Sequence, residues 1–207
     1  MNALFVHGMG RSSLSWLPTI ARFKAHGITG KTFGYTVTVQ DFPAIVRRLV
    51  KALVRVASRG EYVVIGHSLG GVLLRAALAQ LPAGTPMPRM LFLLGSPVMP
   101  SRLAMRLRGN PLFRAVTRDS GRLLGSSPRM QSIPIPNVPT VAIIGTRGLR
   151  GRVSPFGQEP NDGVVAVSEV TAAWIDESIR VPVVHTLLPA SQQVAQILLD
   201  RIHSLYI

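Results

Sequence analysis

The sequence predicts an α/β fold, with a mostly parallel six-stranded sheet and helices on both faces. Short apolar runs rich in β-branched residues alternate along the chain with longer stretches in which apolar residues recur at helical spacing. The chain has 207 residues, 47% of them hydrophobic, which is enough for a sizeable core in one domain. We therefore expect residues 1–207 to form a single domain.

The elements follow from these periodicities and from turn residues. Strands are predicted near 2–7, 32–38, 61–66, 90–95, 140–145 and 180–185. Helices are predicted over 15–25, 42–58, 69–81 and 190–204, with shorter helices between 100 and 124. Asp41 is a suitable N-cap for the second helix, whose apolar residues recur from Ala44 to Val56. Pro82 and Gly84 end the third helix.

An insertion over about 97–135 separates two of these strands. It mixes Gly, Pro and Arg with short apolar stretches, and its apolar residues are Leu103, Met105, Leu107, Leu112, Phe113, Val116, Leu123 and Leu124. A lid that excludes water from a reaction site is one interpretation. A packed structural excursion with no gating role is the alternative.

The net charge is +14, from 23 basic and 9 acidic residues. The helix-like stretch 41–59 and the insertion carry much of it, and the insertion has seven arginines against one acid, Asp119. Such a surface attracts anionic membranes, nucleic acid or acidic substrates. Aromatic residues are only 6% and do not alternate with basic ones, which argues against base stacking and hence nucleic acid. A solvated arginine-rich surface without a partner remains the alternative.

Targeting signals are not evident in the sequence. No apolar stretch reaches the roughly 18 residues that span a bilayer. The first eight residues lack a basic leader and a cleavage site, so a cytoplasmic location is expected, with peripheral contact to the inner membrane surface left open. The absence of cysteine excludes disulfides and thiolate metal sites.

Ser68 lies between glycines at a predicted strand-to-helix junction. It follows the apolar run 62–65 and precedes the apolar stretch 71–78. A sharp turn there lifts the serine side chain above the sheet, and only small residues at 66 and 70 leave room for the backbone. A serine so exposed becomes a nucleophile when a base and oxyanion donors are close.

His185 is the candidate general base. We expect it at the C-terminal end of the last strand, the sheet edge at which Ser68 also emerges. The other histidines are predicted at the end of the first strand, in the serine turn, at a helix end and in the last helix: His7, His67, His26 and His203. A surface histidine without a chemical role is the alternative.

Asp162 is the candidate acid that orients this histidine. It precedes Gly163 in a loop after the strand at 140–145, and so lies in a turn from which a short carboxylate can reach an imidazole. The rival acids are Glu159, Glu169, Asp176 and Glu177. A plain Asp-Gly turn is the alternative interpretation.

Two backbone N–H groups are candidate oxyanion donors. Leu69 follows the serine at a helix N-terminus, where the helix dipole favours anions. Met9 lies between two glycines after the first strand, so its backbone can approach the reaction centre closely.

Together these residues resemble the α/β-hydrolase superfamily, and look closest to its small lipases and esterases. The resemblance rests on His7-Gly8-Met9-Gly10, Gly66-His67-Ser68-Leu69-Gly70-Gly71, Gly95-Ser96-Pro97, Asn161-Asp162-Gly163-Val164-Val165 and His185. It implies a minimal α/β-hydrolase fold and ester hydrolysis through an acyl-enzyme on Ser68, with no metal or organic cofactor. One departure is clear: Val98 and Pro100 replace a histidine and a glycine found in many such lipases.

Three functions remain open after the resemblance. A carboxylester hydrolase acting on small acyl esters or lipids is the favoured one, with Phe92, Met99, Leu103 and Phe113 as apolar candidates for acyl contact. An acyltransferase or thioesterase would use the same three side chains. A non-catalytic basic module that binds anionic membrane surfaces is the remaining alternative.

Overall fold

Six parallel strands form one sheet in this computed structural model, which describes residues 1–152 and 154–206. The strands are β1 (Asn2–Val6), β2 (Thr29–Phe33), β3 (Tyr62–His67), β4 (Leu91–Leu94), β5 (Thr140–Gly145) and β6 (Glu177–Val181). Their spatial order is β2-β1-β3-β4-β5-β6, and every neighbouring pair is parallel. The strand order reverses between β1 and β3, and the carboxyl ends of strands at such a point border the crevice in which α/β proteins bind ligands.

Helices cover both faces of the sheet, which confirms the predicted fold class. The helices are α1 (Leu17–Ala25), α2 (Phe42–Ala57), α3 (Leu69–Leu78), α4 (Arg102–Leu107), α5 (Pro111–Leu124), α6 (Ser127–Gln131), α7 (Val167–Val170) and α8 (Gln192–His203). Alternate residues of β1 face opposite cores, because successive side chains of a strand point to opposite sides. Leu4 packs with α2 and α3, whereas Phe5 packs with α1 and α8.

Two strands begin and end earlier than the sequence predicts. The predicted strand 32–38 is observed as β2, which ends at Phe33 because its neighbour β1 ends opposite it at Val6. The predicted strand 180–185 is observed as β6, which ends at Val181. Pro182 follows and has no N–H to donate to a sheet ladder. His185 therefore begins a 3₁₀ turn four residues after the end of β6, instead of ending the strand.

The insertion between β4 and β5 is helical and carries α4, α5 and α6. Its α5 is interrupted at Arg118, whose backbone has φ 46° and ψ −127°. Two hydrogen bonds fasten this part of α5 to the start of α2 and the segment before it: Arg118 Nη1 donates to Thr38 O at 2.8 Å, and Asp119 Oδ2 accepts from Phe42 N at 3.2 Å. The C-terminal end of α5 packs into the core through buried Leu124.

The two edge strands differ from the four between them. The central strands are almost entirely buried, whereas β2 and β6 are buried only in part. Polar side chains occupy much of both edges, including Lys31 in β2 and Arg180 in β6. Glu177 of β6 is bound by Arg201 of α8 at 2.6 Å. Within the ranges described above, no helix is long and apolar enough to cross a lipid bilayer.

Candidate active site

The turn at Ser68 joins the buried strand β3 to the buried helix α3. Ser68 has φ 53° and ψ −124°, a left-handed conformation that non-glycine residues rarely adopt. Its N–H donates to Leu94 O at 2.9 Å. A Cβ at Gly66 would lie 2.5 Å from Gly71 Cα, and one at Gly70 would collide with Val6 O. Glycine is therefore required on both sides of the serine, as the sequence predicts.

Asp162 is held in a tight turn after β5. Its N–H donates to Val165 O at 3.1 Å, and its Oδ1 accepts the N–H groups of Val164 and Val165, each at 2.9 Å. Gly163 has φ +98°, which this turn requires and glycine supplies without strain. The carboxylate is only 1% exposed, so one of its oxygens is fixed by backbone and the other is available to a buried partner.

That partner is His185. Its Nδ1 lies 2.6 Å from Asp162 Oδ2, and its backbone N–H donates to Asp162 O at 2.9 Å. Both side chains are buried. The hydrogen bond to the carboxylate sets the orientation of the imidazole and leaves Nε2 as the nitrogen able to accept a proton.

Each rival acid has a different partner. Glu159 binds Arg102 Nη2 at 2.5 Å, Asp176 accepts from Thr140 N at 2.7 Å, and Glu177 binds Arg201. Glu169 accepts from the backbone N–H groups of Ala166 and Arg102, each at 2.6 Å. These four carboxylates hold loops and helix ends together, so Asp162 is the acid that contacts a histidine within residues 1–152 and 154–206.

His67 connects the serine turn to His185. Its Nε2 lies 3.0 Å from His185 O, and the centroids of the two rings are 4.6 Å apart. Burial, and then the neighbouring His185, hold the pKa of His67 well below its usual range, so the ring is neutral and Nε2 carries the proton that it donates. The sequence places His67 in the turn but does not reveal this contact, since no motif spacing fixes where the ring points.

Ser68 and His185 lie on neighbouring loops but are not directly bonded. In the described part of the chain, no hydrogen bond joins the Ser68 hydroxyl to His185. The ring of His185 nevertheless packs against His67, the residue before the serine. A Cβ at Gly95 would lie 3.0 Å from His185 Nδ1, so the backbone after β4 also fits closely against the imidazole.

The loop after β1 passes against the serine turn. A Cβ at Gly8 would be 3.0 Å from Ser68 Cβ. His7 anchors this loop: its Nδ1 lies 2.9 Å from Gly8 O, its Nε2 accepts from Tyr35 N at 3.3 Å, and burial lowers its pKa. The neutral His7 ring stacks on Tyr35 at a centroid distance of 4.3 Å.

Met9 and Leu69 lie on the two sides of this contact. Leu69 is the first residue of α3, and Met9 follows Gly8. Among the described residues, neither backbone N–H has a hydrogen-bond acceptor. Both groups thus meet one requirement of the predicted oxyanion donors, an N–H that no other group occupies.

Two cavities of about 450 Å³ flank the site, one lined by residues from Pro182 to Ser191 and the other by His7 and Tyr35. Ser68 lines neither of them, so neither is assigned to an acyl chain. Of the apolar candidates, Phe92 is fully buried in the core beneath the sheet and is unavailable to substrate. Met99 is exposed.

Comparison with known proteins identifies the family of this chain. The sequence matches the alpha/beta hydrolase family over residues 3–190, and it matches no curated protein individually. Among solved structures, it is similar to a Bacillus licheniformis lipase in its propeptide form, with a TM-score of 0.78 and 17% identity over 97% of this chain and 49% of the lipase. The chain thus spans about half the length of that lipase.

Two further structures are similar over nearly their full length. A methylesterase from Arabidopsis gives a TM-score of 0.65 and 16% identity, covering 98% of this chain and 99% of that one. A thioesterase from the prodiginine biosynthetic pathway of Streptomyces coelicolor gives 0.62 and 15%, covering 99% and 89%. At these identities the likeness shows the fold, while the family match extends over most of the sequence. The chain belongs to the alpha/beta hydrolase family.

Proposed function

We propose that this protein is a serine hydrolase that cleaves carboxylic esters through an acyl-enzyme on Ser68. The observation that carries the proposal is the buried Asp162–His185 pair, which packs through His67 against a serine in a left-handed turn. Strained backbone of this kind persists where the surrounding structure holds it and is concentrated at reaction sites.

The chemistry follows from the positions of these groups. His185 Nε2 accepts the proton of the Ser68 hydroxyl as the serine oxygen attacks the ester carbonyl. Asp162 stabilises the imidazolium that forms. The N–H groups of Met9 and Leu69 stabilise the oxyanion, each contributing about 3 kcal/mol. The imidazolium then gives its proton to the departing alkoxide, and a water molecule releases the acid by the same steps in reverse.

The Ser68 hydroxyl must approach Nε2 for the first step. Catalytic hydrogen bonds of this kind are commonly long in the free enzyme and tighten only when substrate binds, so we expect this approach in the substrate complex. The tether from His67 to His185 O limits the shift on the histidine side.

A thioester is a second candidate substrate, since it would be attacked by the same serine and resolved by water or by another nucleophile. The fold likeness to a thioesterase supports testing it directly. A panel of nitrophenyl esters and acyl thioesters of increasing chain length distinguishes the two classes by kcat/KM.

The decisive substitution is Ser68→Ala. We expect kcat for a short-chain nitrophenyl ester to fall by roughly 10⁴- to 10⁶-fold, because the nucleophile is removed while the oxyanion donors stay. The control is Ser12→Ala, which removes an exposed hydroxyl without a capping bond and should leave kcat unchanged. A fluorophosphonate probe should label Ser68, as located by peptide mass spectrometry. Equal activity in the two variants, or a label on another serine, would contradict the proposal.

A further inference from the structure

Four arginines line a small cavity in the insertion, away from the candidate catalytic residues. The cavity has a volume of about 180 Å³ and lies along α5, between Phe113 and Thr117. The arginines are Arg108, Arg114, Arg118 and Arg122. In the part of the chain that the structure describes, none of them forms a salt bridge. The single acid of the insertion, Asp119, is bound instead by Arg129 at 2.8 and 3.2 Å.

Four positive charges around one cavity repel one another. An anion bound between them would attract all four and offset that repulsion. Guanidinium groups match the geometry of phosphate oxygens and can bind them through paired N–H groups. The volume of the cavity admits a phosphate group. The cavity chemistry therefore selects a phosphate-bearing ligand.

Exposed apolar side chains lie on α5, the helix that also carries Arg114, Arg118 and Arg122. Leu112 and Val116 are 73% and 44% exposed on α5. Arg118 bonds to Thr38 O, which brings α5 next to Val39, itself 75% exposed. These residues all belong to segments that follow the carboxyl ends of strands. A phosphate ion dissolved in water gives such side chains nothing to pack against, whereas a bilayer offers phosphates and acyl chains together.

We propose that the surface formed by Arg108, Leu112, Arg114, Val116 and Arg118 docks on an anionic phospholipid bilayer. The arginines bind lipid phosphates, and the two apolar side chains enter the region between the head groups and the acyl chains. Because α5 follows β4 at the same sheet edge as Ser68, docking turns this edge towards the lipid. Docking is a binding event that does not depend on hydrolysis, so it stands or fails separately from the proposed function.

The test is co-sedimentation with vesicles, using the Ser68→Ala protein so that no lipid is consumed. We expect binding to mixed phosphatidylglycerol and phosphatidylcholine vesicles and little binding to phosphatidylcholine alone. The binding should weaken steeply between about 50 and about 300 mM salt, because screening shortens the reach of surface charge. Absence of binding to anionic vesicles at low salt overturns the proposal.

Matched variants locate the surface. R108Q/R114Q should weaken vesicle binding by about 25-fold, since each arginine near an anionic membrane contributes roughly fivefold. R55Q/R59Q removes the same charge at the end of α2, on the opposite edge of the sheet, and should weaken binding less than about threefold. Neither side chain of the first pair makes a hydrogen bond among the described residues, and unfolding midpoints of both variants verify the fold. If both double variants lose vesicle binding equally, only the net charge of the protein matters, and the proposed docking surface is wrong.

Leu112→Ser tests the apolar contribution. It should weaken vesicle binding by about fivefold or more, because a leucine gains on the order of 1 kcal/mol or more when it leaves water. Ile135→Ser removes an exposed apolar side chain before β5 and should have no effect.

Two ligands test the source of the phosphate. The two ligands are inorganic phosphate and a single-stranded oligonucleotide. If either binds tightly, loses that binding in R108Q/R114Q, and vesicles do not bind, the surface recognises that ligand and the proposal is overturned.

Discussion

Ser68 and Arg118 share one unusual backbone conformation but differ in what holds it. Ser68 has φ 53° and ψ −124°, and Arg118 has φ 46° and ψ −127°. For a residue with a Cβ, such angles cost on the order of 1–2 kcal/mol. Among the residues described, these two are the non-glycine positions with positive φ.

At Ser68 the conformation is enforced by packing. Strand β3 and helix α3 are both buried, and Gly66 and Gly70 bring their backbones into contact. Arg118 is exposed, and the interruption of α5 is held by two hydrogen bonds with the segment 38–42, one donated by Arg118 and one accepted by Asp119. The backbone at Ser68 therefore cannot change conformation without disrupting packing, whereas the backbone at Arg118 can relax when a hydrogen bond is removed.

The largest expected effect is at Gly70. Gly70→Ala should lower the free energy of unfolding by at least about 3 kcal/mol or prevent folding, because its Cβ would overlap the carbonyl oxygens of Val6 and His7. Gly109→Ala, in the insertion, meets no atom of the described residues within 4 Å and should change stability by less than about 0.5 kcal/mol. Urea unfolding of both variants measures this. Similar values would show that the serine turn is not held by close packing.

The next effect concerns the pH dependence of the serine turn. The pKa of His67 is well below the ordinary 6.5 in the folded protein, owing to burial and then to His185. Below about pH 6.5 the unfolded chain binds a proton that the folded protein refuses, so the free energy of unfolding falls as pH falls. His67→Gln keeps a donor for His185 O but does not titrate.

We therefore expect the wild-type protein to lose stability more steeply than His67→Gln between pH 6.5 and 5, by up to about 1.4 kcal/mol per pH unit. Urea unfolding at several pH values provides the two slopes. His7, whose pKa is also lowered, is present in both proteins, so the difference between the slopes reports mainly His67. Parallel profiles would contradict a neutral, buried His67.

The smallest effect compares the two turns directly. Glycine and alanine variants at one position both lack the native side chain, so their difference reports the cost of positive φ. We expect Ser68→Gly to be more stable than Ser68→Ala by about 1 kcal/mol. Arg118→Gly and Arg118→Ala should differ by less than about 0.5 kcal/mol, because loss of the bond to Thr38 lets the helix relax. An equal difference at both positions would mean that α5 is as tightly constrained as the serine turn.

Periodicity and turn residues predicted the sheet and its main helices well, because buried strands and amphipathic helices leave clear patterns. The predicted ends of β2 and β6 are wrong because a strand ends where its neighbour in the sheet ends. The sequence of one segment contains no information about where its neighbour ends. The interruption of α5 was missed for a similar reason. Arg118 is neither Gly nor Pro, and the conformation depends on contacts with residues distant in sequence.

The part of the candidate site that depends on sequence order and on turn residues could be predicted. Asp162 was chosen from the Asp-Gly turn and His185 from its place near a strand end, and the two side chains lie in contact. The link from His67 to His185 O was not foreseen, because a ring direction depends on tertiary packing. The roles of Ser68, Met9 and Leu69 remain predictions that the kinetic tests address.

The charged borders of the sheet have a consequence for self-association. Lys31 on one side and Arg180 on the other occupy strands whose outer backbone groups have no neighbouring strand within residues 1–152 and 154–206. A second molecule that added a strand at either border would have to desolvate these charged side chains. These charges protect the protein against sheet-to-sheet aggregation, even though strands of its interior, such as Leu91–Leu94, are wholly apolar.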